Sequence, residues 1–182
     1  MENKKIVLGS GTLYCKEYVN AVPTAIEIET EANILGEIKG GATLEYKPEY
    51  YTAEDDFGKI SKRIITKEDV TFKSGIITWN GLTLQKLCGS ARVADDKTLG
   101  KRTINIGGLA NLDGKKYAFE FLHKDKADGD LRIMIVGNNQ SGFSMVFAKD
   151  KETTVDAVIK AEAQDVEGTL ILITEDIPKG SV

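Results

Sequence analysis

The sequence contains very little histidine and cysteine, on which most metal sites and many nucleophilic active sites depend. Its 182 residues include one histidine, His123, and two cysteines, Cys15 and Cys88, which form no CxxC pair. A structural zinc site uses about four such ligands, so we do not expect zinc binding. In a reducing compartment, we expect both thiols to be free and mostly buried.

The common phosphate and calcium motifs are also missing. Gly9-Ser10-Gly11 and Gly40-Gly41 lack the lysine and the spacing that a phosphate-binding loop needs. Asp125–Leu131 (DKADGDL) resembles part of a calcium loop, but with Gly129 at loop position six the twelfth position holds Ile135, where a bidentate glutamate is required. We therefore expect neither a cofactor nor a bound metal.

Candidates for catalysis are few. A serine or cysteine nucleophile usually needs a histidine base, and we expect His123 to be solvated at a strand end. Asp55-Asp56 and Asp95-Asp96 could act as paired acids, but adjacent side chains point to different sides of an extended backbone. We therefore predict that the protein is not an enzyme.

Long apolar runs and an excess of positive charge are absent too. No apolar run approaches the roughly 20 residues of a membrane span. Residues 1–11, MENKKIVLGSG, contain only three consecutive apolar residues, so we expect no signal peptide and synthesis inside the cell. The net charge is -4, whereas a protein that neutralises phosphates should be basic, so we do not expect sequence-specific binding to duplex DNA.

Alternating apolar residues dominate the second half of the chain and predict β-strands. The predicted strands are Tyr117–Leu122, Leu131–Val136, Phe143–Phe147, Val155–Ala163 and Thr169–Thr174. Val155–Ala163 also fits a helix, but its five alternate apolar positions favour a strand. Asp128-Gly129 suggests a tight hairpin. Residues 115–175 are therefore predicted to form an antiparallel meander of four or five strands.

A short helix is predicted at residues 80–89, after a strand that begins near Val70. Asn80 is a suitable N-terminal cap, and Gly89 is placed to end the helix. The residues predicted to face the core are Trp79, Leu84, Leu87 and Cys88. The predicted fold class is mainly β, an antiparallel β-sandwich with one short flanking α-helix and a long protruding loop.

The first half of the chain has shorter strand candidates and one unusual polar segment. The candidates are Ile6–Leu8, Leu13–Tyr18, Ala25–Ile28 and Ala42–Tyr46. Residues 48–69, PEYYTAEDDFGKISKRIITKED, are too many for a loop of the usual 4–6 residues or so. They are also too apolar for simple disorder. We expect a protruding loop or extended hairpin that packs on something outside its own domain.

We find no repeat and no Pro/Ser-rich linker, so residues 1–182 are predicted to form a single domain. Residues 1–20 would be an N-terminal arm and first strand. The elements then come in the order GSGTL, GGATLEYKPEYY, the acidic-then-basic loop, a strand, Asn80-Gly81 with the short helix, and the meander beginning KYAFEF. Over nearly the whole chain, this order resembles the major tail tube protein of tailed bacteriophages with long non-contractile tails.

The resemblance implies a β-sandwich fold and a structural function in the virion. Six copies would form a ring, and rings would stack into a hollow tube whose inner sheets join edge to edge. The tube would first hold a length-measuring protein and later carry the genome, which passes without sequence-specific contacts. Further partners would be tail-tip and tail-terminator proteins. The implied location is the virion tail, after assembly in the host cytoplasm, and no membrane is involved.

The resemblance also implies which residues contact other copies. The long loop would make contacts between rings through Tyr50, Tyr51, Phe57, Ile60, Arg63 and Ile64. We expect a net negative lumen, because a basic wall would retain a phosphate backbone. Glu120 and Asp130 are the lumen candidates, provided that the sheet faces are not inverted.

Two alternative functions remain at this point. The chain could form the inner tube of a contractile phage tail or of a phage-tail-like bacteriocin, in which case a sheath gene should lie nearby. It could instead be a β-sandwich binding module or enzyme that stays monomeric and binds a small ligand or partner.

Overall fold

The computed structural model describes residues 9–150 and 152–177, and the fold is mainly β and antiparallel, as predicted. The predicted strand Ile6–Leu8 lies outside these residues. Within them the chain forms, in order, β1 Thr12–Glu17, α1 Ala25–Ile28, β2 Ile34–Glu54, β3 Ser61–Ile76, α2 Gly81–Leu87, β4 Ala91–Asp96, β5 Lys101–Ile106, β6 Tyr117–His123, β7 Leu131–Asn139, β8 Val155–Glu162 and β9 Leu172–Glu175.

Six strands form a ladder of hydrogen bonds that closes on itself. The strand order is β6-β1-β2-β3-β8-β7, and β7 pairs again with β6, from Tyr117 opposite Gly137 to His123 opposite Leu131. β9 adds to β7 beside β8. Strands β4 and β5 form a separate hairpin. The two layers of the sandwich are therefore joined at both sides, as in a flattened barrel.

The main hydrophobic core lies inside this closed ladder. Alternate residues of each strand point inwards, for example Leu13 and Cys15 of β1 and Phe119 of β6, all of them buried. β8 contributes Val155, Ala157, Ile159 and Ala161. Full burial of a large apolar side chain contributes about 1.5–3 kcal/mol, so the inward residues supply most of the stability.

Helix α2 packs on this core. The Asn80 side chain accepts hydrogen bonds from the backbone N–H groups of Leu82 and Thr83, at 2.8 and 3.2 Å, and so caps the helix. Leu84 and Leu87 are buried in the main core.

The two other residues predicted to face the core from this region have different surroundings. Trp79 is half-buried and packs against the edge of the core. Cys88 follows the helix end, because the backbone becomes extended there. It is half-buried with its Sγ 3.5 Å from Ser90 Oγ, and so the prediction of a core position for Cys88 was wrong.

A second apolar layer covers the outer side of β1, β6 and β7. It contains Tyr14, Ile28, Ala118, Leu122, Met134 and Val136. Ile28 belongs to α1, which replaces the predicted strand Ala25–Ile28. Thr24 and Glu27 form a capping box, with the Thr24 N–H donating to Glu27 Oε2 at 2.7 Å, and this local signal favours a helix.

Two further predictions for the second half are corrected, and one element was missed. Residues 143–147 form one isolated bridge, Met145 to Val155, instead of a strand, and Phe147 is exposed. The last strand begins only at Leu172 and returns to β7, so the chain departs from a simple meander. The hairpin of β4 and β5 was not predicted at all.

His123 is buried, whereas the sequence suggested a solvated residue. Its Nδ1 lies 2.8 Å from the carbonyl oxygen of Ser10. A side chain at Gly9 would meet the imidazole ring. The residue therefore belongs to the packing between β6 and the segment before β1.

Leu87→Asp should prevent stable folding, because it places an unpaired charge in the main core. We expect a loss of about 3 kcal/mol or more in the free energy of unfolding, measured by thermal and urea denaturation. Leu82→Asp on the same helix is the control, since Leu82 is 46% exposed and Leu87 only 2%. Equal melting of the two variants would contradict the core position.

Candidate assembly surface

The segment predicted as a long loop is the outer part of the β2–β3 hairpin. Residues 47–54 and 61–69 pair with each other, and only residues 55–60 form the turn. Asp55 stabilises this turn by accepting the Ile60 N–H at 2.7 Å. We call residues 47–69 the arm. The eight residues 47–54 of β2 give it a length of about 26 Å.

A β-bulge divides the arm into two parts. Glu49 lies opposite Lys67 and Tyr50 opposite Ile65, so that Thr66 has no direct partner across the hairpin. We call residues 47–49 and 67–69 the base and residues 50–65 the tip. The extra residue Thr66 shifts the pairing register by one. The β3 side chains on one side of the bulge therefore point to the face opposite to the one that uninterrupted alternation would give them.

All six residues predicted to contact other copies lie in the tip, and all are exposed. Phe57 at the turn is 83% exposed and Ile60 is 73% exposed. The Arg63 guanidinium lies 3.8 Å from the centroid of the Tyr50 ring. Ile65 was missed as a site residue. The sequence feature that could have identified it is the pair Ile64-Ile65. Consecutive residues in a strand point to opposite faces, so two adjacent apolar residues indicate an apolar residue on each face.

Both outer edges of the arm lack a strand partner. β1 pairs with β2 only at Ile34, Gly36 and Glu37, and β8 pairs with β3 only from Thr71 onwards. Among residues 9–150 and 152–177, no strand continues the sheet along either side of the arm. Such edges present rows of backbone donors and acceptors on which another chain can pair.

Charged residues in the base and beside it are paired across the strands. Lys67 contacts Glu49 at 2.9 Å, and Lys160 of β8 contacts Asp69 at 3.0 Å. Hydrogen bonding from Lys160 lowers the pKa of Asp69. Lys47 and Lys73 similarly hold Glu45, at 2.7 and 3.3 Å, and lower its pKa. These lysines and carboxylates therefore largely neutralise each other on one face of the sheet.

Charges in the tip are arranged differently. Glu54, Asp55 and Asp56 come before Phe57 at the end of the arm, and Lys59, Lys62 and Arg63 come after it. Lys59 lies over the Phe57 ring at 5.9 Å, and Arg63 over Tyr50. Within the part of the chain that the structure describes, none of the six forms an ion pair. The tip thus offers both signs of charge and an uncovered apolar surface.

Glu120, predicted as a lumen candidate, is buried at 2% exposure. It lies between Tyr14 and Met134 in the outer apolar layer under α1. Burial, and to a smaller extent the charge of Glu29, raises the pKa of Glu120 to about 7, although the charge of Arg132 acts in the opposite direction. The lumen prediction for Glu120 was wrong because the outer side of β6 is covered by its own chain.

Asp130, the other lumen candidate, is half-buried. Its carboxylate lies 3.4 Å from Arg132, which also contacts Glu29 at 2.6 Å and Asp176 at 3.4 Å. Three carboxylates therefore surround one guanidinium, which joins α1, β7 and the end of β9. The lumen position of Asp130 stays a prediction.

Comparisons with known proteins identify no family. No protein-family model matches the chain, and no curated protein matches it. Among solved structures, a chain from the virion of a native gene transfer agent particle aligns with 89% of this chain and 95% of its own length, at 10% identity and a TM-score of 0.38. That similarity is too low to support an argument. Among the described residues, no helix has the length and apolarity to cross a bilayer.

Replacing the buried carboxyl by an amide, Glu120→Gln, should flatten the dependence of stability on pH. The pKa of Glu120 is about 7 in the folded chain against 4.5 for an ordinary glutamate, so the native state binds the proton more tightly. Stability should fall as the pH rises from about 4.5 to about 7 and then level off, by on the order of 3 kcal/mol.

Urea denaturation of the wild type and Glu120→Gln at pH 5 to 8 measures this effect. The stability of the variant relative to the wild type should increase with pH. Glu31→Gln, at an exposed position, is the control and should follow the wild type. Parallel pH profiles for the wild type and Glu120→Gln would contradict the burial of an ionisable group there.

Proposed function

We propose that this protein is the structural subunit of a phage tail tube, in which rings of six copies stack into a hollow conduit for genome delivery. The observation that carries the proposal is the arm, a hairpin whose edges and exposed side chains no other described element of the chain covers. The order of elements along the chain, which resembles that of tail tube proteins, supports the same function.

The arm needs a partner for physical reasons. A two-stranded hairpin is marginally stable alone in water, and unpaired edges promote association with other chains. Its exposed side chains include Tyr50, Tyr51, Phe57, Ile60, Ile64 and Ile65. A cluster of large apolar side chains of this kind is typical of an interaction site.

The free edges suit pairing between identical subunits. One free edge belongs to β2 and the other to β3, and these strands run in opposite directions. A head-to-tail repeat that brings the β3 side of one copy towards the β2 side of the next keeps the strands antiparallel. A repeat of this kind makes a ring if it closes and a filament if it does not. Six copies per ring is the number that the resemblance implies.

The charge of the chain is compatible with a conduit for DNA. The net charge is -4, and the lysines around the base of the arm are held by carboxylates. A phosphate backbone is retained by unpaired basic groups that release counterions on binding, so paired lysines should let it pass. In this function, the partners would be other copies, tail-tip and tail-terminator proteins, and a length-measuring protein, and Asp130 remains the lumen candidate.

Negative-stain electron microscopy of the purified protein, with light scattering at increasing concentration, tests the proposal. We expect six-fold rings or hollow tubes, formed by the subunit alone or after addition of tail tips as nuclei. A protein that stays monomeric at every concentration, even with nuclei present, would contradict the proposal and favour a monomeric binding module.

Shortening the arm should abolish assembly without affecting the fold. Replacing Ala53–Lys62 by Asn-Gly joins Thr52 and Arg63, which already pair, through a turn that suits a two-residue hairpin loop. We expect the free energy of unfolding to change by less than about 0.5 kcal/mol, because all the removed residues except the half-buried Asp55 are exposed. Tubes and rings should be absent in electron micrographs.

The second hairpin provides a control for hairpin shortening. Replacing Lys97–Gly100 by Asn-Gly shortens the turn between Asp96 and Lys101, which also pair. This variant shows whether expression and melting tolerate such a change. Normal tubes from the variant with the shortened arm would show that the arm is not an assembly element.

A further inference from the structure

We propose that the tip of the arm inserts between two other copies of this chain, so that both of its faces become buried, while the base remains in water. This inference rests on the proposed function and adds the way in which the arm is bound. It concerns residues 50–65 as the tip and residues 47–49 and 67–69 as the base.

The tip carries large apolar side chains on both faces. Tyr50 and Ile65 lie opposite each other on one face, and Tyr51 and Ile64 on the other. All four are about half exposed in the isolated subunit. A hairpin that merely lies on a surface buries one face and leaves the other in water, which favours polar residues there. Two apolar faces therefore indicate enclosure from both sides.

The base of the same hairpin differs from the tip. One face of the hairpin carries the Glu49–Lys67 and Asp69–Lys160 ion pairs in and beside the base. Beyond the bulge, the same face carries Tyr51 and Ile64. Removing paired charges from water is costly, so this part of the face should stay solvated. The bulge at Thr66 thus marks the boundary between a solvated and an enclosed part.

The charges of the tip favour copies of the same chain as the enclosing partners. The tip has three acidic residues before Phe57 and three basic residues after it, and the described residues provide no ion pair for them. A nucleic acid would require a net basic surface. An identical copy can instead place acidic against basic residues, and complementary charges of this kind fix the register of an interface.

The symmetry of the assembly supplies two enclosing neighbours. In a head-to-tail repeat each subunit contacts one copy through one side and a second copy through the other. A two-faced element that projects from the subunit can therefore meet a different copy on each face. The turn residues Phe57 and Ile60, at the far end of the arm, would then be left for contact with the next ring.

Ile64→Glu and Ile65→Glu provide a matched pair of tests. The two residues are adjacent, chemically identical and 48% and 49% exposed, but they lie on opposite faces of the arm. If both faces are buried on assembly, each variant must bury a carboxylate. Each should then raise the concentration needed for assembly by about tenfold or more, as measured by light scattering and electron microscopy.

The double variant Glu49→Gln/Lys67→Gln is the control for the base. It removes an ion pair that we expect to stay in water, so assembly should remain within about twofold of the wild type. Thermal melting of all variants checks that the subunit is folded, which we expect because each altered residue is exposed.

Labelling of assembled protein gives a second readout. In a Cys88→Ser background, which leaves the buried Cys15, the single variants Ile64→Cys, Ile65→Cys and Lys47→Cys are treated with a maleimide before and after assembly. Assembly should protect positions 64 and 65 by about tenfold or more and leave position 47 reactive, because a buried thiol is inaccessible.

The outcomes separate this inference from the proposed function. Loss of assembly in both isoleucine variants, with protection of both positions, supports insertion between copies. An effect at only one of the two positions means that the arm lies flat on a neighbour and overturns the inference, while tube formation by the wild type still supports the proposed function. Wild-type protein that never assembles overturns both.

Discussion

The closed ladder of hydrogen bonds is the constraint on which the rest of the structure depends. Pairing of β6 with β7 brings residues 117–123 and 131–137 together and joins the last strands to the first. It encloses the main core and leaves α2 to pack on that core. It also presents the outer side of β6 to α1, which explains why Glu120 is buried. Backbone groups that would be unpaired at a sheet edge are thereby satisfied within the chain.

The arm extends beyond the closed ladder. β2 and β3 take part in the ladder near residues 34–38 and 70–76, and then run beyond it with two outer edges on which no strand of the described chain pairs. The subunit thus combines a body with satisfied edges and an extension that requires a partner. In the proposed tube, the body would fold before assembly and the arm would become buried during assembly.

Local patterns in the sequence predicted the elements better than their partners. Strict alternation at residues 117–122 and 155–163 was sufficient for β6 and β8, and Asn80 placed the start of α2. The Ala25–Ile28 prediction failed because a capping box outweighed short apolar spacing. The arm was predicted as a protruding loop or extended hairpin, and the structure shows the hairpin; its strand bounds could not be predicted because the bulge at Thr66 interrupts the alternation. Its exposed aromatic and isoleucine residues were nevertheless identified as the candidate site.

By itself the sequence determined the mainly β fold class, the capped helix and the composition of an arm that carries apolar residues and both signs of charge. The tertiary structure alone decided which strands pair, since β9 returns to β7 and the ladder closes through contacts that are distant in sequence. It also decided which side of each strand faces water. Period-two alternation distinguishes two faces of a strand, but only packing against other elements shows whether one face or both are covered, as at Glu120.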